Sequence, residues 1–133
     1  MIIEHVALWV QDLERSKTFY TTYFGAKAGV LYHNPQKSFS SYFLTFDDGA
    51  RLELMQRPDI QSTRAESGES MGWAHIALSV GDTPSHVDEL TNRMRKNGCI
   101  VVGEPRRTGD GYYESVVLDP DGNRIELTLN PAS

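Results

Sequence analysis

Two histidines and two glutamates in this chain recur at matched positions, and together they could hold a divalent metal ion. His5 and His75 stand 70 residues apart and Glu53 and Glu126 stand 73 apart, each inside a block that repeats. Ile3–Asp12 aligns with Trp73–Asp82, sharing His, Ala, Leu, Val and Asp at five of ten positions. Asp48–Leu54 aligns with Asp121–Leu127, sharing Asp, Gly, Arg, Glu and Leu at five of seven. Two matched blocks in the same order mark a tandem duplication. Two imidazoles and two carboxylates suit a first-row ion such as Ni²⁺, Zn²⁺ or Co²⁺, with Fe²⁺ or Mn²⁺ also compatible. Without a metal, two glutamates in a partly apolar groove would repel each other, or one would hold a proton. A lone strand histidine is ordinarily a hydrogen-bonded structural residue, and a lone strand glutamate is ordinarily solvated. Recurrence of both types in both copies is what points to a site.

The elements that must position these four residues follow one order in each copy. Ile2–Val10 alternates apolar and polar, as a half-buried strand does. Asp12 is a suitable cap for a helix carrying Leu13, Ser16, Phe19, Tyr20 and Tyr23 on one side and stopped by Gly25. In the second copy Thr83-Pro84 offers a cap and a first-turn proline, Val87, Leu90, Arg93 and Met94 follow at helical spacing, and Gly98 ends the run. Three strand-like runs come next: near 28–32, 40–46 and 50–56 in the first copy, and near 99–103, 112–118 and 124–129 in the second. Asp48-Gly49 and Asp121-Gly122 are turn signals before the last run of each. The expectation is an α+β fold of two βαβββ modules, about 1–57 and 73–130. They are joined by a polar linker at about 58–72 within one domain spanning 1–130.

Parity along the strands sends the four residues to one kind of face. Val6, Leu8, Ile76 and Leu78 alternate with His5, Ala7, His75 and Ala77, and Leu52, Leu54, Ile125 and Leu127 alternate with Glu53 and Glu126. The aliphatic faces can pack under the helices. If each sheet curls, the opposite faces form concave surfaces bearing the four donors.

Bulk properties narrow the function classes. The 133 residues carry a net charge of −5 with no basic run, so nothing advertises nucleic-acid or membrane-surface binding. No apolar stretch of about 18 residues and no charged-then-apolar leader is read, and the single Cys99 fits a reducing compartment. The expected location is the cytoplasm and the expected partner a small molecule.

With these pieces the chain resembles the vicinal oxygen chelate superfamily, in its glyoxalase I-like branch. The resemblance rests on His5-Val-Ala-Leu, on Leu13-Glu-Arg-Ser-Lys-Thr-Phe-Tyr20 running into Gly25, and on Arg51-Leu-Glu-Leu. His75-Ile-Ala-Leu-Ser-Val80 and Leu118-Asp-Pro-Asp-Gly-Asn-Arg-Ile-Glu-Leu127 complete it, so nearly the whole chain is covered. It implies paired modules with curled mixed sheets, a homodimer, and one divalent metal on His5, Glu53, His75 and Glu126. Relatives that are dioxygenases or thiol transferases use a three-ligand pattern matching His5, His75 and Glu126. The carboxylate at Glu53 is the glyoxalase-like addition. The implied activity is that of a lyase, proton transfer on a metal-chelated hemithioacetal through an enediolate. Glu126 is the first choice of base and Glu53 the second. Alternatives are another metalloenzyme of the superfamily (dioxygenase, thiol transferase or epimerase) and a non-catalytic small-molecule-binding or resistance protein.

Two positions depart from the glutathione-using pattern. Where such enzymes carry an arginine four residues after the first ligand, this chain has Trp9. Where they carry an asparagine four residues after the second, it has Arg57. Both are expected to contact substrate, with a third contact expected from the glycine-rich stretch Thr108–Tyr113, through Tyr113 or its neighbour Tyr112. The familiar grip on glutathione is therefore altered, which leaves the thiol open.

Overall fold

Alternation in His-Val-Ala-Leu-Trp builds strand β1 (His5–Trp9). Asp12 then starts helix α1 (Leu13–Phe24), its carboxylate accepting from the Arg15 backbone N–H at 3.0 Å. The helix buries Leu13, Ser16, Phe19 and Tyr20 and ends at Gly25, whose φ of 64° is reached without a Cβ penalty. Strands β2 (Lys27–Ala28), β3 (Tyr32–Asn34), β4 (Phe39–Thr45) and β5 (Arg51–Gln56) follow. The computed structural model describes residues 1–61 and 69–132, and the chain divides into two compact units, 1–64 and 65–133. That boundary falls within the expected linker, whose residues 62–68 lie outside the described residues.

The second unit repeats the order with β6 (Ile76–Gly81), α2 (Pro84–Lys96), β7 (Val101–Arg107), β8 (Tyr113–Leu118) and β9 (Arg124–Leu129). His86 caps the start of α2: its Nδ1 accepts from the backbone N–H groups of Asp82 at 3.0 Å and Thr83 at 3.3 Å. At the other end the Cys99 N–H bonds the Met94 carbonyl and the Gly98 N–H bonds the Arg95 carbonyl, each at 3.0 Å. This paired closure requires the positive φ of 89° at Gly98.

Each unit is a mixed sheet with a helix on one side. In the first the strand order is β1-β5-β4-β2, with β3 also on β4, and β1 runs parallel to β5 while β4 runs antiparallel to it. In the second the order is β6-β9-β8-β7, with β6 parallel to β9. The aliphatic parity faces the helices: Leu44, Leu52 and Leu54 are buried with Tyr20, and Val117, Ile125 and Leu127 with Val87 and Met94. Thr91 of α2 and Ser115 of β8 satisfy one another at 2.7 Å inside this second core. No helix among the described residues is long and apolar enough to cross a membrane.

The α+β architecture expected from the repeat is the one observed, with two differences. The single run expected near 28–32 is two short strands, because Ala28 pairs with Leu44 while Tyr32 pairs with Ser41. Three residues thus face two, a bulge that begins at Gly29. The run expected near 99–103 starts later and extends to Arg107, past Pro105. It forms the edge of its sheet, with register shifts on either side of Gly103, and an edge strand tolerates the N–H that proline lacks.

Candidate active site

Strand pairing puts one histidine and one glutamate of each unit on the sheet face away from the helix. Glu53 lies between Ala7 of β1 and Phe43 of β4, and Glu126 lies between Ala77 of β6 and Val116 of β8. His5 and His75 stand two residues before those alanines, on the same face and diagonal to the glutamates. His5 Nε2 is 3.7 Å from Glu53 Oε1, and His75 Nε2 is 3.2 Å from Glu126 Oε1. The glutamates are largely covered, at 15% and 19% side-chain exposure, whereas both imidazoles are open at about 40%.

These separations can be tested against a metal. Donors on neighbouring positions of an ion with bonds of about 2.1 Å lie roughly 3.0 to 3.4 Å apart. The second pair meets that spacing and the first needs a small inward adjustment, so each pair fits two adjacent positions on one divalent ion. Among the described residues no group of three or more His, Cys, Asp and Glu donors is gathered. The donors come as two pairs, one per unit.

The surroundings of the first pair orient it. Glu4 Oε2 lies 3.2 Å from His5 Nδ1 and is bonded by Arg51 Nε at 3.0 Å. The Arg51 hydrogen bond leads in holding the Glu4 carboxyl below its ordinary range. A proton on Nδ1 donated to Glu4 leaves the lone pair on Nε2, the atom that faces Glu53. Phe43 meets the His5 ring edge-on at 5.3 Å, and the Arg51 guanidinium stacks 4.2 Å over Phe43. Trp9 continues the same parity. Its ring carries the Arg57 guanidinium at 5.2 Å and meets Phe39 edge-on, while Arg57 Nε donates to Asp59 at 2.5 Å. Trp9 and Arg57 thus come together in the first unit, beside a surface cleft lined by Lys37, Ser38, Arg57, Pro58 and Asp59.

Tyr113 goes elsewhere. It shares parity with the buried Ser115 and Val117, and its hydroxyl donates to Asp88 of α2 at 2.6 Å. That places it on the helix side of β8, as a tie between strand and helix. Its neighbour Glu114 takes the open face instead. Burial raises the Glu114 carboxyl above its usual range, and the charge of the adjacent Glu126 adds to the rise. The signal that could have found Glu114 was strand parity applied to β8, the same rule that found Glu126.

Comparison with known proteins agrees with this geometry. Residues 2–127 match the glyoxalase/bleomycin resistance protein/dioxygenase superfamily. Lactoylglutathione lyase of Salmonella typhimurium is 34% identical over 131 residues, covering 96% of this chain and 91% of its own length. The corresponding lyase of Haemophilus influenzae is 31% identical and covers all of this chain. The solved trypanothione-dependent glyoxalase I of Leishmania major superposes with a TM-score of 0.74 at 29% identity, over 97% of this chain and 86% of that one. The chain belongs to the glyoxalase/bleomycin resistance protein/dioxygenase superfamily. Within it, the full-length likeness to these lyases makes it a glyoxalase I-like lyase.

Proposed function

We propose that this chain isomerises the hemithioacetal of a thiol and a 2-oxoaldehyde to a 2-hydroxy thioester, with His5, Glu53, His75 and Glu126 as the ligands of one divalent metal. The observation that supports this best is the duplicated pair, an imidazole and a covered carboxylate at equivalent register positions in both units. The ion, of which Ni²⁺, Zn²⁺ and Co²⁺ suit the donors best, supplies a Lewis acid for the two neighbouring substrate oxygens when bound.

The chain's own groups do the proton work. Glu126 accepts the proton from the carbon bearing sulfur, and the electron pair left behind moves toward the neighbouring carbonyl. A proton delivered to that neighbouring carbon, from Glu53 or back from Glu126, completes the isomerisation with no net oxidation. The low exposure of both carboxylates keeps bulk water from competing for the proton. Trp9 and Arg57 form the thiol grip, with Arg57 exchanging Asp59 for a carboxylate of the thiol and the Trp9 ring flooring the contact. Because these two replace the glutathione-type Arg and Asn, the preferred thiol is one whose carboxylate is placed to meet Arg57. The reading includes a homodimer and a cytoplasmic location, the free Cys99 being in keeping with the latter.

The test is a hemithioacetal isomerisation assay on protein reconstituted with Ni²⁺, Zn²⁺ or Co²⁺, run with methylglyoxal and a panel of thiols that includes glutathione and trypanothione. Metal-dependent thioester formation with at least one thiol is expected. Metal-replete protein inactive with every thiol would overturn the proposal.

A further inference from the structure

The open face around Glu126 is polar where its counterpart around Glu53 is apolar. Register maps Glu126 onto Glu53, Val116 onto Phe43 and Ala77 onto Ala7. One step further along the same strands, Thr128 stands where the first unit has Met55, Ser79 where it has Trp9, and Glu114 where it has Ser41. Thr128 is 8% exposed, and its Oγ1 has no hydrogen-bond partner among the described residues. Glu114 stands on the neighbouring strand β8, one residue before the Ser115 that pairs with Leu127, with a side chain 12% exposed and 4.0 Å from Arg106. A buried hydroxyl that meets nothing is a cost that valine, of the same shape, would avoid. Here it stands on the reacting face beside a carboxylate that can accept.

We infer that Thr128 and Glu114 form a subsite for a hydroxyl group carried by the substrate next to its reacting carbons. The substrate hydroxyl donates to the Glu114 carboxylate and accepts from Thr128 Oγ1–H. The ligand class is therefore a hydroxylated 2-oxoaldehyde adduct in preference to an alkyl one. This rests on the lyase reading above, and it adds what that reading leaves open, the chemistry of the aldehyde half. A site built to bond a hydroxyl discriminates against its methyl isostere, because the protein groups are then left unpaired.

The experiment is calorimetric titration of the Ni²⁺-loaded protein with two vicinal-oxygen chelators of equal size, glycolohydroxamate and propionohydroxamate. They differ by CH₂OH against CH₂CH₃. Glycolohydroxamate is expected to bind roughly tenfold more tightly. Thr128→Val, which preserves shape, should bring the ratio near one, and Thr128→Ser should restore it. Equal affinity in the native protein, binding of neither chelator, or a ratio unmoved by Thr128→Val would overturn the subsite. Isomerisation assays on the same preparation separate the two readings. Turnover with a ratio of one removes the subsite alone, and a tenfold ratio without turnover of any hemithioacetal supports the subsite while removing the lyase assignment.

Discussion

At the scale of single residues the division of labour among charged groups is set by cover and neighbours. Glu126 and Glu53 are both covered carboxylates against an imidazole, but Glu126 also has a second carboxyl, Glu114, close beside it. Replacement of the base by an isostere that cannot accept a proton, Glu126→Gln, should lower kcat by about 10² to 10⁴-fold, measured in protein whose metal content is determined in parallel. Arg57 acts on binding instead. Arg57→Gln should raise KM for a carboxylate-bearing thiol adduct by about tenfold and leave kcat within a few-fold, the signature of lost uniform binding. An equal fall in kcat would show that Arg57 serves the chemical step. The four proposed ligands were legible in the sequence because duplication displays each type twice. Glu114 and Thr128 have no repeated partner of their type, since Ser41 and Met55 stand at the equivalent places, so only parity within a correctly placed strand reveals them. Tyr113 shows the same dependence on phase: one residue from Glu114, it stands on the helix side.

At the scale of elements, the helices were the most legible because their ends carry local chemistry. Asp12 and Gly25 bound α1, and Pro84 and Gly98 bound α2, within a residue or two of where caps and turn residues place them. Strand limits depend on partners far away in sequence, so the division of the run near 28–32 into β2 and β3 and the reach of β7 to Arg107 followed from pairing with β4 and β8. The positioning of the ligands rests on the aliphatic face beneath them. Leu54 and Leu127 each sit one residue past a proposed ligand and are fully buried against a helix. Leu127→Ala should cost about 2 to 5 kcal/mol in urea-unfolding stability. A loss under 1 kcal/mol would mean that β9 is not anchored by its apolar face. Gly98→Ala should cost about 1 kcal/mol or more, because an alanine at that positive φ is strained while no atom obstructs its Cβ.

For the whole molecule, duplication supplies one imidazole–carboxylate pair in each unit, and divergence between the copies makes the surroundings of the two pairs differ. The first unit presents aromatic and apolar residues with Arg57 at the far end, and the second presents Glu114, Thr128 and Ser79 around its glutamate. Family membership and lyase character follow from likeness along the full chain. The ligand set is the claim on which the chemistry turns. If one ion draws donors from both units, it stabilises both at once. Saturating Ni²⁺ at about 100 times its Kd should then add about 2.7 kcal/mol and raise Tm by roughly 10 °C, and chelation by EDTA should reverse the shift. A change of under 2 °C would mean that the metal does not couple to the fold. The most direct measurement is metal stoichiometry by elemental analysis of the purified, Ni²⁺-reconstituted chain beside its His75→Ala variant. One ion per chain in the native protein and none retained by the variant is the predicted result; one ion per chain in both would contradict the four-residue site.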